Sequence, residues 1–444
     1  MTNREPIGPE TKGLRLTNSI DLAEFRRALQ QSPRNIADDV FAWPLLTAND
    51  QALNHNLNVM AEACEKYGVW LAPHVKTHMS QDLFRRQWQS GAWAATVAMP
   101  HQLRAVWSWG VKRILLANEL SDIRDANWLS AKLAADKQLE IWLEVDSPRG
   151  IDILAQAFHS APPEVLARLH PLIEVGISGG RTGVRDQETA LALARYLIAS
   201  GLPISGVIGF EGPVAHDASA ASLTKVDQWV DEVIRVAQLV SSEATGQHPG
   251  EPFIVSVGGS AYIDIVLPKL AALRGKGWQG VIRSGAYLTH DSVHYAELNP
   301  FSRLPGGYAL QPALTVWAQV LSVPEKGLAI IGAGKRDLAF DLDLPVPLWY
   351  RRPDAAGVLG SKQPLPAGST VTELNDQHTF MRFAAISNQD ETAPSNPNCE
   401  PSPQIEVGDV IGFGISHPCT VLDKWRILAI EDDDCLIDIY PLDF

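Results

Sequence analysis

Residues 113–145, RILLANELSDIRDANWLSAKLAADKQLEIWLEV, contain two short apolar runs on either side of a longer amphipathic segment. The runs RILLAN (113–118) and EIWLEV (140–145) have the length and apolar content of buried strands. Between them, SDIRDANWLSAKLAAD (121–136) repeats its apolar residues at helical spacing. The stretch therefore predicts a strand, a helix and a second strand parallel to the first.

The same alternation continues on both sides of this unit. Eight candidate strands are present: VWLAPHV (69–75), AATVAM (94–99), RILLAN (113–118), EIWLEV (140–145), PLIEVGI (171–177), ISGVIGF (204–210), FIVSV (253–257) and GVIRSG (280–285). Helix-like segments lie between them, and a count of eight favours a (β/α)8 barrel over an open doubly wound sheet.

Beyond the eighth candidate strand, apolar runs follow one another without helical segments, which is typical of a separate β domain. We therefore predict an α/β protein in which a (β/α)8 TIM-like barrel is followed by a β-rich C-terminal domain. The predicted ranges are an N-terminal segment at 1–34 that packs on the C-terminal domain, the barrel at 35–309 and the β-rich domain at 310–444. Two proline-rich stretches, 341–370 and 389–403, are predicted to be long surface loops.

The charge balance restricts the classes of molecule that the protein is expected to bind. With 37 Lys and Arg against 51 Asp and Glu, the net charge is −14, which argues against binding to nucleic acid or to an anionic membrane. No apolar run reaches the ~18–20 residues that span a bilayer, and the polar start lacks a signal sequence, so we expect a cytoplasmic protein. The four cysteines (Cys64, Cys399, Cys419, Cys435) are too scattered to predict a disulfide framework.

Lys76 follows the first candidate strand, in Pro73-His74-Val75-Lys76-Thr77-His78. Barrels have their active sites at the C-terminal ends of their strands. Burial there would lower the pKa of the lysine and make it the amine nucleophile that Schiff-base chemistry needs. Taken alone, the position favours a different interpretation, a lysine that reaches the rim or pairs with a carboxylate.

Small residues follow the seventh and eighth candidate strands, as Gly258-Gly259-Ser260 and Ser284-Gly285-Ala286-Tyr287. Small residues let backbone N–H groups approach an anion, and barrels commonly bind phosphate after strands 7 and 8. A lysine after strand 1 combined with a phosphate site after strands 7 and 8 suggests pyridoxal 5'-phosphate, which carries both an aldehyde and a phosphate.

Three segments together resemble a known family. Ala72-Pro73-His74-Val75-Lys76-Thr77-His78, GGRTGVR (179–185) and Ser416-His417-Pro418-Cys419-Thr420 are similar to motifs of the D-serine dehydratase and D-threonine aldolase family. That family belongs to the alanine racemase-like (fold type III) pyridoxal-phosphate enzymes, which have a barrel followed by a β domain. The resemblance extends from about residue 35 to the C-terminus.

The resemblance implies roles for several residues. Lys76 would hold the cofactor covalently and later act as the base at the substrate Cα. The implied cofactor-binding residues are Lys76, Arg181, Gly258, Gly259, Ser260, Gly285, Ala286 and Tyr287. Phe210 lies where related enzymes often have an aromatic residue beside the cofactor, and Glu211 is either a cofactor or substrate partner or a structural carboxylate. His378 falls near an acidic-histidine segment of the family and is a candidate for an acid–base or supporting role.

His417 and Cys419 form the candidate metal site. In an extended segment, residues at i and i+2 point to the same side, and imidazole with thiolate favours zinc over magnesium or calcium. Spacing alone favours a core thiol beside a satisfied histidine. The resemblance favours zinc, because its dehydratases hold catalytic zinc at His-x-Cys whereas its aldolases tend to have His-x-Asp.

The predicted function is a pyridoxal-phosphate- and zinc-dependent lyase that converts a β-hydroxy D-amino acid, D-serine or a relative, to a 2-oxo acid and ammonia. Retro-aldol cleavage of the D-threonine aldolase type in the same site is the nearest alternative. A non-catalytic pyridoxal-phosphate carrier and a racemase are further ones. We expect a homodimer acting on a small-molecule substrate.

Overall fold

The computed structural model of the chain describes residues 6–244, 251–275, 277–306, 309–384 and 404–444. The predicted loop 389–403 and Cys399 lie outside these ranges. Within the described ranges, no helix combines the length and the apolar character needed to cross a membrane.

Two helices and two strands of the described chain precede the barrel strands. These elements are α1 (Leu22–Gln31), β1 (Arg34–Asn35), β2 (Leu45–Asn49) and α2 (Asp50–Tyr67). Asn49 ends β2 and caps α2, since its side chain accepts a hydrogen bond from Ala52 N at 2.9 Å. Gly68 ends α2 in a left-handed conformation with a φ of 63°, which glycine adopts without steric cost.

A parallel sheet follows, built from the eight strands that the sequence predicts. They are β3 (Trp70–Leu71), β4 (Ala95–Val97), β5 (Arg113–Glu119), β6 (Glu140–Val145), β7 (Leu169–Val175), β8 (Gly206–Gly209), β9 (Phe253–Ser256) and β10 (Trp278–Ile282). In the described chain, the eight strands are ordered β3-β10-β9-β8-β7-β6-β5-β4. The two ends of this order also meet, because Trp93 N donates to Leu71 O at 2.7 Å and Thr96 N to Pro73 O at 2.9 Å.

Helices connect the strands and cover the outside of the sheet. They are α3 (Gln81–Gln89), α4 (Pro100–Ser108), α5 (Ile123–Ala135), α6 (Pro148–Phe158), α7 (Pro163–Leu166), α8 (Gln187–Ala199), α9 (Ala220–Glu243) and α10 (Ile263–Ala271). A further short helix, α11 (His294–Leu298), follows the last barrel strand. Short 3-10 turns lie at Val75–Thr77, Gly212–Val214 and Pro300–Arg303.

A distinct apolar cluster contains one buried residue from, or next to, each barrel strand. Its members are Ala72, Ala94, Leu115, Trp142, Leu172, Ile208, Ile254 and Val281. Such a layer of side chains makes a barrel interior a packed core rather than a pore.

The second sheet is antiparallel for the most part and forms the β-rich region. Its C-terminal elements are β11 (Leu314–Glu325), β12 (Leu328–Ile331), β13 (Val346–Arg351), β14 (Thr370–Leu374), β15 (Thr379–Arg382), β16 (Val410–Gly414), α12 (Pro418–Leu422), β17 (Ile427–Asp432) and β18 (Cys435–Pro441). The strand order is β1-β18-β17-β2-β11-β12-β15-β14, and β16 pairs with both β11 and β13. The predicted fold class, a barrel followed by a β-rich region, is confirmed.

The N-terminal strands belong to this second sheet. β1 pairs with β18, and Arg26 of α1 donates to Asp438 of β18 at 2.7 Å. β2 lies within the range 35–309 predicted for the barrel, yet it pairs with β11 and β17. The predicted division of the chain into three ranges stays a prediction.

The stretch 341–370 differs from the predicted surface loop. It contains β13, which pairs with β16. Pro347 is tolerated there because β13 is an edge strand whose register shifts between Pro347 and Trp349. Proline content therefore misled the sequence interpretation at this position.

Candidate active site

A cavity of about 170 Å³ lies where the C-terminal ends of the barrel strands meet the second sheet. Its barrel residues are His74, Lys76, Thr77, Ala117, Glu144, Arg181, Phe210, Gly258, Gly259, Ser260, Arg283, Gly285 and Ala286. Tyr295, His417 and Cys419 complete the lining. The contact between the two parts is direct, since Cys419 Sγ lies 3.3 Å from Thr77 Oγ1.

Most of the residues predicted for the site line this cavity. Tyr287 does not, because its side chain is buried in the core and its hydroxyl accepts a hydrogen bond from Gln87 Nε2 at 3.1 Å. His378 is exposed in the turn between β14 and β15 and does not line it either. Glu211 is fully buried, and its carboxylate accepts from Gly259 N at 2.7 Å.

Lys76 lies in the 3-10 turn that follows β3. Burial, assisted by the positive charges of Arg181 and Arg283, lowers the pKa of the Lys76 amine. Cys419 and Glu144 act in the opposite direction, and burial outweighs them. The neighbouring His74 has a pKa well below its ordinary value, again chiefly because of burial. The turn therefore presents a lysine with an enlarged uncharged fraction, which amine nucleophiles require.

The loops after β9 and β10 lie side by side. Ser260 Oγ and Ser284 Oγ are 2.8 Å apart, which brings the two loops together. Among the described residues, the backbone N–H groups of Ser260, Gly285 and Ala286 have no hydrogen-bond acceptor. Unpaired N–H groups in small-residue loops are what a phosphate needs. These residues fit the phosphate of pyridoxal phosphate, and Lys76 fits its aldehyde.

Glycine is required at Gly285 because of close packing. A Cβ there would lie 2.5 Å from His74 O and 2.6 Å from Thr77 Oγ1. The loop after β10 thus approaches the backbone of the turn that carries Lys76. The turn that carries Lys76 therefore leaves no room for a side chain at position 285.

Arg181 lies on a loop that two acidic side chains hold. Glu174 accepts from Thr182 Oγ1 at 3.0 Å, and Asp146 accepts from Gly183 N at 3.1 Å. The guanidinium of Arg181 lies over the Phe210 ring, 5.1 Å from its centroid, within cation–π range. Glu174 also affects Glu119. Burial of Glu119, together with its hydrogen bond to Glu174 and the negative charge of Glu174, raises the pKa of Glu119 to about 9.

His417 and Cys419 meet in a way that differs from the predicted strand. β16 ends at Gly414, His417 precedes α12 with extended backbone angles, and Cys419 is the second residue of that helix. The turn from strand into helix, rather than strand alternation, therefore brings the two side chains together. Pro418 starts the helix at a position where its missing N–H costs no hydrogen bond.

Electrostatics at His417 favour the charged ring when no metal is bound. Burial alone would lower its pKa, but hydrogen bonds and charge interactions with Cys419 and Asp341 raise it to about 9. Burial opposes ionisation of Asp341, yet hydrogen bonds from Thr420 and His417 outweigh it and lower the Asp341 pKa.

The donor set fits a zinc ion. Imidazole nitrogen and thiolate sulfur are ligands that zinc prefers over the oxygen ligands of magnesium and calcium. In the described part of the chain, no third acidic, histidine or cysteine side chain completes a tight cluster with this pair. Two protein ligands leave coordination positions for water and substrate, as catalytic zinc requires.

Sequence reasoning missed several residues that line the cavity, among them three with polar side chains. Glu144 lies near the end of β6, Arg283 directly follows β10, and Tyr295 belongs to α11. Arg283 is buried and donates to Ser256 Oγ and to Gly209 O. The rule that residues closing a barrel strand face the active site identifies Glu144 and Arg283, whereas no local signal marks Tyr295.

A larger cavity, about 420 Å³, lies at the opposite end of the barrel strands. Its lining includes the four indoles of Trp70, Trp93, Trp142 and Trp278. None of the residues predicted for the site lines it. Chemistry and strand direction, rather than size, therefore select the smaller cavity as the active site.

Comparisons with known proteins agree with this architecture. Residues 49–268 match the family model "Alanine racemase, N-terminal domain", and residues 313–430 match "Putative serine dehydratase domain". A D-threonine aldolase of Arthrobacter sp. is 24% identical over 406 residues, which cover 90% of this chain and 91% of that protein. A D-threo-3-hydroxyaspartate dehydratase of Delftia sp. strain HT23 is 29% identical over 289 residues, 64% of this chain and 68% of that protein.

A solved structure shows the same fold. The D-threonine aldolase from Filomicrobium marinum superimposes with a TM-score of 0.71 at 21% identity, covering 92% of this chain and 97% of that one. The barrel with its lysine turn, joined to a β-rich region, defines an alanine racemase-like protein. More narrowly, the chain belongs to the D-serine dehydratase and D-threonine aldolase family.

Proposed function

We propose that the protein is a pyridoxal-phosphate- and zinc-dependent lyase that removes water and then ammonia from a β-hydroxy D-amino acid. D-serine or a close relative is the proposed substrate, and a 2-oxo acid is the product. One observation carries the proposal: the half-buried Lys76 and the His417–Cys419 pair line a single cavity, with Cys419 Sγ 3.3 Å from Oγ1 of Thr77, the residue next to Lys76.

The barrel side of the cavity would bind the cofactor. Pyridoxal phosphate, when bound, supplies an electron sink for the carbanion at the substrate Cα. Lys76 would hold it covalently, and the free N–H groups of Ser260, Gly285 and Ala286 would bind its phosphate. The lowered pKa of Lys76 suits an amine that would act as the base toward the proton on the substrate Cα.

The second sheet would supply the metal side. A zinc ion, when bound, supplies a Lewis acid that makes hydroxide a better leaving group. His417 and Cys419, which line the same cavity as Lys76, would hold it. With this division, the base for Cα would come from the barrel and the group that acts on Cβ would come from the second sheet.

Retro-aldol cleavage is the second candidate. The D-threonine aldolase of Arthrobacter sp. aligns over most of both chains, which favours it. Cleavage needs the β-hydroxyl to lose a proton while it stays on Cβ, whereas dehydration needs it to leave. Cys419 stands where the aldolases of the family tend to have aspartate, and a thiolate favours zinc, so dehydration is preferred.

One substrate separates the two reactions. Incubation with D-threonine is expected to yield 2-oxobutyrate and ammonia, and D-serine to yield pyruvate. The L-isomers should give little product, because a base on one side of the substrate reaches the Cα proton of one enantiomer. Products are identified by mass spectrometry and by an ammonia assay, with the Lys76→Ala protein as the control for background reaction.

Other products would redirect the assignment. Glycine and acetaldehyde from D-threonine would identify an aldolase. Turnover of D-threo-3-hydroxyaspartate without turnover of D-serine or D-threonine would keep dehydration and change the substrate to an acidic one. Racemisation without cleavage would contradict both lyase reactions.

A further inference from the structure

A carboxylate, that of Asp341, contacts the imidazole of His417. Asp341 Oδ2 lies 2.7 Å from His417 Nδ1. The other oxygen of the same carboxylate, Oδ1, accepts a hydrogen bond from Thr420 Oγ1 at 2.5 Å. Both oxygens of Asp341 are therefore engaged, one by the imidazole and one by the first turn of α12.

The chain reinforces this contact from a distant segment. Asp341 belongs to the connection between β12 and β13, 76 residues before His417. Two residues further on, Asp343 O accepts from Ser416 Oγ at 2.7 Å. Three side-chain hydrogen bonds thus attach the 341–343 segment to the turn that carries His417 and Cys419. A lone surface ion pair would lack this second attachment.

The hydrogen bond decides which nitrogen of His417 is available. When Nδ1–H donates to a carboxylate, the ring has a fixed tautomer and Nε2 keeps its lone pair. A carboxylate acceptor also orients the ring and increases the basicity of the ligating nitrogen. With two protein ligands only, the orientation of each one has a large effect on metal affinity.

We infer that Asp341 is a positioning residue for the metal: it orients His417 so that Nε2 binds zinc, and Thr420 holds Asp341 in place. This inference rests on the proposed zinc site. It assigns a role to a residue in a stretch that the sequence interpretation treated as a surface loop.

The test measures metal affinity rather than turnover. The pyridoxal-phosphate-loaded protein is freed of metal and titrated with zinc in competition with a chromophoric chelator. Asp341→Asn should weaken zinc binding by roughly 10- to 100-fold, because the amide can still accept from Nδ1–H but carries no charge. Asp341→Ala should weaken it at least as much, and Thr420→Val should have a smaller effect in the same direction.

A matched variant distinguishes the hydrogen bond of Asp341 to His417 from the general effect of a negative charge near the metal site. Asp423 follows α12, and its carboxylate pairs with Lys424 at 3.8 Å rather than with His417. Asp423→Asn removes one negative charge from the same turn and should leave zinc affinity within about twofold, since no ligand loses its acceptor. Cobalt(II) loading gives a second readout, because a changed ligand geometry alters its visible spectrum. The cofactor absorbance and the thermal midpoint report whether each variant is folded.

The outcomes distinguish this inference from the proposed function. A folded Asp341→Asn protein with wild-type zinc affinity and an unchanged cobalt spectrum would overturn the role of Asp341 while leaving the metal site intact. An equal loss in Asp423→Asn would also overturn it. If the wild-type protein binds no zinc, or if His417→Ala binds it equally well, the proposed metal site fails and the inference fails with it.

Discussion

Glu144 shows how burial alters an ordinary side chain in this cavity. The side chain is 5% exposed and lies among Lys76, Arg181 and Glu174. Burial, together with the charge of Glu174, raises its pKa to about 8, although Arg283, Arg181 and Lys76 act in the opposite direction. A carboxyl group that is mostly protonated near neutral pH can donate a hydrogen bond, which an ordinary carboxylate cannot.

The first prediction concerns this carboxyl group and pH. The folded protein keeps the Glu144 proton up to about pH 8, whereas an unfolded chain releases it near pH 4.3. Between these values the folded state binds more protons, so this group makes stability fall as pH rises, and the full cost is present above pH 8. Glu144→Gln removes that slope. The thermal midpoint of Glu144→Gln minus that of wild type should therefore increase steadily from pH 5 to pH 8.

Thermal scans at intervals of one pH unit test this. Glu62→Gln, at an exposed position on α2, serves as the control and should differ from wild type by a constant amount. A constant difference for Glu144→Gln as well would show that Glu144 is ionised in the folded protein across this range.

At the scale of elements, strand ends and short turns build the site. The 3-10 turn after β3 carries Lys76, and the loops after β9 and β10 provide the small residues. On the other side, the turn from β16 into α12 carries the metal pair. Each functional group therefore lies within a few residues of a strand. Neighbouring strands hold that strand in place, and this limits the movement of the functional group.

The second prediction follows from the packing of the β10 loop on the lysine turn. Gly285→Ala places a Cβ 2.5 Å from His74 O, and a backbone atom cannot move aside as a flexible side chain can. The turn must shift, which should cost about 1–3 kcal/mol of stability. Cofactor retention, measured by absorbance after gel filtration, should fall in parallel.

Gly150→Ala is the matched control. Gly150 lies in the first turn of α6, and an added Cβ would come no closer than 3.4 Å to Ser147 Oγ. This substitution should leave cofactor retention unchanged and stability equal or slightly higher, since alanine favours helix. Full cofactor retention in Gly285→Ala would refute the assignment of this loop to the phosphate.

At the scale of the whole molecule, the cavity combines groups from two sheets. The lysine and the proposed phosphate loops belong to the barrel, and the proposed metal ligands belong to the second sheet. Because β2 joins the second sheet and leads directly into α2, the chain links the two parts on both sides of the barrel. The predicted homodimer and cytoplasmic location stay predictions.

The third prediction is that metal and cofactor can be lost separately. A His417→Ala, Cys419→Ala double variant should contain no zinc by elemental analysis, whereas the wild-type protein should contain about one ion per chain. It should keep the yellow colour that bound pyridoxal phosphate gives to a protein, because Lys76 and the phosphate loops do not depend on these ligands. Loss of colour along with zinc would mean that the second sheet is needed to form the cofactor site.

Local patterns in the sequence were enough to predict the barrel and most of its site. Hydrophobic periodicity reports the type of each element and its buried side, so all eight barrel strands were found. Strand direction then indicates which end of each strand faces the active site, and this rule located Lys76 and the two small-residue loops. The motifs around Lys76 and His417 added the family.

The tertiary structure decided the contacts between segments that are far apart in sequence. It assigns β2 to the second sheet, β13 to an edge of that sheet, and Asp341 to the imidazole of a histidine 76 residues away. It also replaces the predicted strand at His417 by a turn into a helix. Periodicity carries no information on such pairings, because they depend on how whole elements pack rather than on the preferences of neighbouring residues. The type of each element is a local property, whereas the partners of a side chain are a property of the complete fold.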